Sequence, residues 1–378
     1  MIKKYSKLCF ILILSLTLEG CWDYEDINRR SISLAIGIDK KGNKGQANTE
    51  FAEFSSSIGK GKEGPQVPGK YHNRSVGKDF EDVRAEYDAK IPFVDFSGAN
   101  RVVVFSKEYA QDGIEQYINR IDFIQGLRKS LLVVVSRETT DTLFEANVVN
   151  DISAGYAIED TIRSLSKQGM TIYKTAQDIQ SDIQVKDIGF LLPYVGLEDN
   201  SIKLLGLAVL KDAKLVGLID EKESRGFLFL VEDKPVFRES IISPENKSNK
   251  ISIESVLKKR KIKTSYNDNR ININIGLNFD AKMQYGYFIE PISSKAISEA
   301  EHIVAEDLKK EVNSALEKSK GEFQSDVFGF ARYFRADNPS IYKQLKWKEE
   351  YPNVNFNVEV KVKIINTNLF NSDMKKKS

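Results

Sequence analysis

The chain has 378 residues, 41% hydrophobic and 29% charged, with a formal net charge of +2. That length and composition suit a globular protein of two or three domains and exclude wholesale disorder, and so small a charge gives no electrostatic case for nucleic acid or anionic lipid. Only two cysteines, Cys9 and Cys21, and two histidines, His72 and His302, are present, which excludes a disulfide scaffold and a Cys/His zinc site.

Lys3, Lys4 and Lys7 precede a mostly apolar run from Leu8 to Leu18, and Glu19-Gly20-Cys21-Trp22 follows. Cations, an apolar core and a small residue before a cut site are the layout of a secretory signal peptide. The run is shorter than the roughly 20 residues that span a bilayer. Leu18-x-Gly20-Cys21 resembles a lipobox, with Glu19 a departure from its usual uncharged residue. It predicts cleavage between Gly20 and Cys21 and conversion of Cys21 to an S-diacylglycerol cysteine, N-palmitoylation being a further option. The plainer alternative is an ordinary signal peptide that happens to contain a cysteine. Two acyl chains anchor a protein stably where one binds only marginally, so the expectation is a body outside the cytoplasm, tethered by its N-terminus. Loss of residues 1–20 removes three lysines and one glutamate and leaves a body of zero formal charge. With Cys9 gone and Cys21 acylated, no disulfide can form.

Ile32, Leu34, Ile36 and Ile38 alternate and predict a half-buried strand, with Asn48 to Phe54 returning as its hairpin partner. Ser55 to Arg74, rich in glycine and poor in large apolar groups, reads as a long exposed loop. Asp79 to Ala89 has helical spacing; Arg101 to Phe105 and Leu131 to Val135 are β-branched runs typical of buried strands. Ser106 is placed to cap the helix after the first of these. Thr140–Ala146, Ile152–Leu165 and Ala176–Ile183 read as further helices. Pro193, Gly196 and Glu198-Asp199-Asn200 mark a change of character between Asp187 and Ser201, taken as a domain boundary. A hairpin over Lys203–Leu210 and Lys214–Ile219 follows, and Asp220-x-x-Glu223 is placed to start a short helix. Two long alternating runs, Ile251 to Thr264 and Ile271 to Phe279, meet across Tyr266-Asn267-Asp268-Asn269. The strongest helix is Lys295 to Lys318, with a stripe through Ile297, Ala300, Val304, Leu308, Val312 and Ala315. A helical zone from Ser325 and another from Pro339 to Trp347 lead to a terminal strand from Val354 to Ile364.

The fold class expected is α+β (α/β mixed) and multi-domain, each domain a mostly antiparallel or mixed sheet flanked by helices. The divisions expected are a signal peptide over 1–20, N-terminal α/β domain(s) over 21–198, a C-terminal domain over 199–366 and a polar tail over 367–378.

Chemistry is sparse. His72 falls in the predicted loop and His302 on the polar side of the long helix, and both read as solvated rather than catalytic. Gly59-x-x-x-x-Gly64 has the outer spacing of a phosphate loop, but Pro65 and Gln66 stand where Lys and Ser/Thr are required. Lys258-Lys259-Arg260-Lys261 reads as an edge or exposed face protected by charge, with contact to membrane headgroups as the lesser alternative. No catalytic residue, metal ligand or cofactor site is expected, and the chain is read as no enzyme.

Cys21-Trp22-Asp23-x-x-Asp26-Ile27-Asn28 and Ala35-Ile36-Gly37-Ile38-Asp39 resemble the start of the Ger(x)C family. The resemblance continues through Gly206 to Gly217, Glu223-x-Arg225-Gly226, Asp326-x-Phe328-Gly329-Phe330, Trp347 and Tyr351-Pro352. Arg120 to Arg128 only loosely echoes the family's pattern. The resemblance implies a set of sheet-plus-helix domains. It also implies a non-enzymatic lipoprotein C subunit of a spore nutrient germinant receptor, on the outer face of the spore inner membrane, with membrane-embedded A and B subunits as partners. The rival readings are an extracytoplasmic solute-binding lipoprotein of a transporter and a membrane-anchored cell-wall hydrolase.

Overall fold

The computed structural model describes residues 29–42, 44–53, 69–124, 126–148, 151 and 153–367. Cys21, Gly20, Trp22 and the Gly59–Gly64 spacing lie outside them. Two sheets organise the chain. The first contains β1 (Arg30–Lys41), β2 (Lys44–Glu53), β3 (Gly69–Gly77), β4 (Val94–Phe96), β5 (Val102–Ser106), β6 (Leu132–Ser136), β7 (Phe190–Glu198), β8 (Ser201–Lys211) and β9 (Lys214–Asp220). Its order is β3-β2-β1-β5-β6-β7-β8-β9, with β4 beside the start of β1. The centre, β1-β5-β6-β7, is parallel, and antiparallel strands extend it on both sides.

A parallel centre needs helices on both faces, and the chain supplies α1 (Phe80–Asp88), α2 (Lys107–Asp112), α3 (Glu115–Ile121), α4 (Thr140–Glu145), α5 (Ala154–Lys167) and α6 (Ala176–Gln184). Ile38, Val103, Phe105, Val133 and Val135 face Ile118 and Ile179 of α3 and α6 on one side. Ala35, Val102, Val104, Leu132 and Val134 face Phe144 and Ile158 of α4 and α5 on the other. Strand β1 is therefore buried on both faces rather than half-buried: Ala35 is small enough to take Gly155 of α5 against it, and Ser31 and Ser33, also buried, lie beside β4, where Ser33 donates to Asp95. Ser106 caps α2 by accepting from the Tyr109 N–H.

Residues 69–77, the end of the expected loop, form edge strand β3. Residues 190–198, expected at a boundary, form β7, and the division placed at 198/199 falls in the β7–β8 turn. By hydrogen bonding the β8–β9 hairpin belongs to the first sheet. By packing, Leu207, Val209 and Ile219 join a core shared with everything that follows.

The second sheet has the order β10 (Val236–Ile242), β11 (Lys250–Asn267), β12 (Arg270–Gly286), β13 (Asn355–Asn366). Asp268 and Asn269, both at positive φ, make the tight turn of the β11–β12 hairpin. Helices α7 (Ser224–Val231), α8 (Ser294–Gly321), α9 (Phe330–Asp337), α10 (Pro339–Tyr342) and α11 (Trp347–Glu350) pack with it. Helix α8 has 28 residues and spans roughly 42 Å; the predicted stripe from Ala300 to Ala315 is buried, with Ile297 partly so. Helix α7 begins at Ser224, after a turn in which Asp220 accepts from the Glu223 N–H, and has no side-chain cap of its own. The Ser325 zone turns before α9 starts at Phe330, and the Pro339 helix ends at Tyr342 rather than reaching Trp347. Among the described residues no helix is long and apolar enough to cross a membrane.

Candidate functional site

The residues that carry the resemblance mostly build the fold. Asp39, buried at the end of β1, accepts from the Thr140 N–H (2.9 Å), the Thr140 hydroxyl (2.9 Å) and the Asn48 amide (2.7 Å), so it holds the start of α4. Burial pushes its carboxyl above the usual range, against the pull of those donors. Gly206 has φ of 138° and packs against the backbone of Ile219, where a Cβ would overlap the carbonyl. Gly217 packs under the Phe323 ring, so the hairpin lies flush on the segment after α8. Gly217→Ala is expected to cost about 1–3 kcal/mol through overpacking, read as a lower urea midpoint at unchanged slope.

Asp326, Phe330, Trp347 and Tyr351 converge in one buried cluster. The Asp326 carboxylate accepts from the Phe330 N–H (2.9 Å), the Ala331 N–H (2.7 Å) and the Trp347 indole (3.1 Å). Tyr351 shares a 2.7 Å hydrogen bond with Ser319, and its ring centroid lies 6.1 Å from that of Trp347.

His72 is not in a loop. It lies on β3 with Lys70 and Arg74 on the same face, opposite Glu50 of β2 and Asp141 and Glu145 of α4. Its Nε2 is 3.4 Å from a Glu145 oxygen and 4.0 Å from Asp141. The three could offer ligand atoms to one cation. Arg74 already forms a two-bond ion pair with Asp141, so the arrangement works as a charge ladder that pins the edge strand. Its innermost rung is the Glu50 carboxylate, fully buried, which accepts from Lys70 (3.1 Å) and from the Ala154 and Gly155 N–H groups (3.0 and 2.9 Å) at the start of α5. Nothing local in the sequence points to this group. His302 is exposed, as expected. Lys258, Lys259 and Lys261 of the basic run are exposed too, since the pairing of β11 with β10 ends at Val256, whereas Arg260 folds back onto the Phe229 and Glu232 carbonyls.

A cavity of about 280 Å³ lies between α1, the β1–β2 pair and α3. Ile36, Ile38 and Phe80 make it apolar, and Tyr117 meets Phe80 edge-on at 5.6 Å. Arg84, Arg120, Ser33 and Asp95 supply its polar rim. Those groups are mutually engaged: Arg84 with Asp88 (2.8 Å), Arg120 with Glu81 (2.6 Å) and Ser33 with Asp95 (2.9 Å). Burial, with Asp95 adjacent, raises the Tyr87 hydroxyl far above its ordinary range and keeps it protonated. Asp95 accepts from the Ser97 hydroxyl as well (2.8 Å), so its carboxylate is held by two serines. Arg120 and Ile124 are the contributions from the loosely echoed 120–128 segment, in which Phe123 stands exposed.

Two family models match the chain in order. "Spore germination protein N-terminal domain" matches residues 23–197, and "Spore germination B3/GerAC like, C-terminal" matches residues 205–368. The chain is 24% identical to spore germination protein A3 of Bacillus subtilis (strain 168), over 94% of this chain and 95% of that one. It is 21% identical to spore germination protein B3 of the same organism, over 96% and 98%. The crystal structure of the GerBC protein has a similar fold, with a TM-score of 0.54 at 16% identity, covering 88% of this chain and 97% of that one. Matched by both models along nearly its whole length and folded as two helix-flanked sheets, the chain belongs to the Ger(x)C family, the GerAC-like spore germination proteins that form the C-subunit family of germination receptors.

Proposed function

We propose that this chain is a non-enzymatic lipoprotein subunit of a spore nutrient germinant receptor. Lipidated Cys21 holds it on the outer face of the spore inner membrane, where it acts with membrane-embedded A and B subunits. The observation that carries the reading is the ordered match of both family models, with the lipobox-like Leu18-x-Gly20-Cys21 immediately before it. Tethering raises the local concentration of the subunit at its partners without requiring a tight interface. An assembly and coupling role fits a chain whose family-like residues stabilise the fold. Cys21→Ala is expected to move the protein from the spore membrane fraction to the soluble one and to abolish nutrient-triggered germination. A mild-detergent pull-down of the native protein is expected to bring two polytopic partners. Recovery of a permease and an ATPase instead would replace this reading by a solute-binding lipoprotein, the rival that the 280 Å³ cavity favours.

A further inference from the structure

Strand β4 is short and stands at the point where the described chain begins. It pairs in parallel with the first residues of β1: Arg30 with Val94, Ser31 with Asp95, Ile32 with Phe96. Phe93, Val94 and Phe96 are 45%, 66% and 44% exposed. Single exposed apolar residues are ordinary, but three within four positions form a patch that water alone does not explain. The patch sits at the end of a short tether. From Cys21 to Arg30 the chain advances nine residues, which at full extension reach at most roughly 30–32 Å. A body of this size has a radius of gyration on the order of 20 Å. The tether therefore brings the face that carries Arg30 and Val94 toward the surface in which the Cys21 lipid is buried.

We infer that Phe93, Val94 and Phe96 form a second membrane contact, an apolar tip that enters the headgroup region of the bilayer beside the lipid anchor. The inference rests on the proposed acylation of Cys21. Aromatic rings are favoured at that depth, and small apolar insertions add to acyl chains as independent anchoring signals. The contact would fix the orientation of the first sheet: with β4 at the membrane, the Ser33 and Asp95 side of the cavity faces the bilayer too. The occupant is lipid rather than a partner protein, because the tether keeps this patch within about 30–32 Å of the bilayer whatever else is bound.

The test uses the full mature lipidated chain in vesicles of phosphatidylglycerol and phosphatidylethanolamine. With Cys9 removed and Cys21 acylated, Phe93→Cys, Phe96→Cys or Asp268→Cys each provides one thiol for a nitroxide label. Labels at 93 and 96 are expected to show an oxygen-to-nickel accessibility ratio several-fold above that at 268, the tip of the β11–β12 turn, and to lose the difference in the Cys21→Ala protein without vesicles. Water-like ratios at 93 and 96, in protein that still floats with the vesicles, would overturn the tip contact and leave the anchor standing. Labels equally shielded with and without vesicles would overturn it in favour of a second copy of the chain on this patch. Failure of the lipidated protein itself to float would remove the anchor and this inference together.

Discussion

Asp326→Ala is expected to cost about 3–5 kcal/mol, because it strands three buried donors at once. The side chain is 2% exposed and receives two backbone N–H groups at the start of α9 and the Trp347 indole. Truncation leaves these donors buried without an acceptor, at about 1–3 kcal/mol each before relaxation. The backbone carbonyl of Asp326 accepts from the Gly189 N–H at 3.0 Å, just before β7. Loosening this turn therefore disturbs the seam between the two sheets as well as the Phe330–Trp347–Tyr351 cluster. Urea unfolding should show a large fall in midpoint, and near-ultraviolet dichroism should lose part of its Trp347 signal.

Asp326→Asn separates shape from charge. Burial raises the Asp326 carboxyl to about 6, more than the N–H donors lower it. A carboxyl with a raised pKa binds its proton more tightly folded than unfolded. Its contribution is therefore fully present below the unfolded value near 3.8 and is lost as pH rises through about 6. Asparagine has no such dependence. The cost of Asp326→Asn should shrink by roughly 2–3 kcal/mol between about pH 4 and pH 7. A cost that is flat or grows with pH would mean that the ionised form, held by three donors, is the favoured one.

The long helix and the long hairpin were legible because each is written locally. The α8 stripe recurs at three and four residues, and Asp268-Asn269 is turn chemistry between two alternating runs. The β5 and β6 runs were legible for the same reason, being β-branched and uninterrupted. Strand β3 was not. Lys70, His72 and Arg74 make one face charged, and the other offers only Tyr71, stacked on Phe51 at 4.9 Å; the partners of the charged face lie as far away as Asp141. The second face of β1 was hidden because Ser33 and Ala35 carry little hydropathy yet are as buried as Leu34. The cavity was hidden because α1, the β1–β2 pair and α3 each contribute only a few residues to it. Motif order supplied the family, which neither composition nor periodicity could. The exposed tip after Pro92 does have a local signal, Phe93-Val94-Asp95-Phe96, although a run that short reads equally well as a core strand.

Glu50→Ala should have an effect of similar size to Asp326→Ala, about 3–5 kcal/mol, in the other half of the molecule. Glu50 performs two tasks with one carboxylate. It takes the Ala154 and Gly155 N–H groups, which have no partner within α5, and so places negative charge at the positive end of a 14-residue helix. It also neutralises Lys70, whose ammonium is 17% exposed and further held by the Phe144 and Ala146 carbonyls. Alanine leaves two helix donors and one cation short of a partner. Glutamine keeps the volume and one acceptor oxygen but presents its NH₂ to another donor, so about 1–3 kcal/mol is expected. Adding Lys70→Met to Glu50→Ala separates the two tasks. Part of the single-mutant cost is the stranded cation, so the double variant should be more stable than the sum of the two singles predicts, by about 0.5–3 kcal/mol. Additive costs would assign the effect to the α5 N-terminus alone. In both Glu50 variants, amide exchange at Ala154 and Gly155 should accelerate ahead of the rest of α5, because the donors released are theirs.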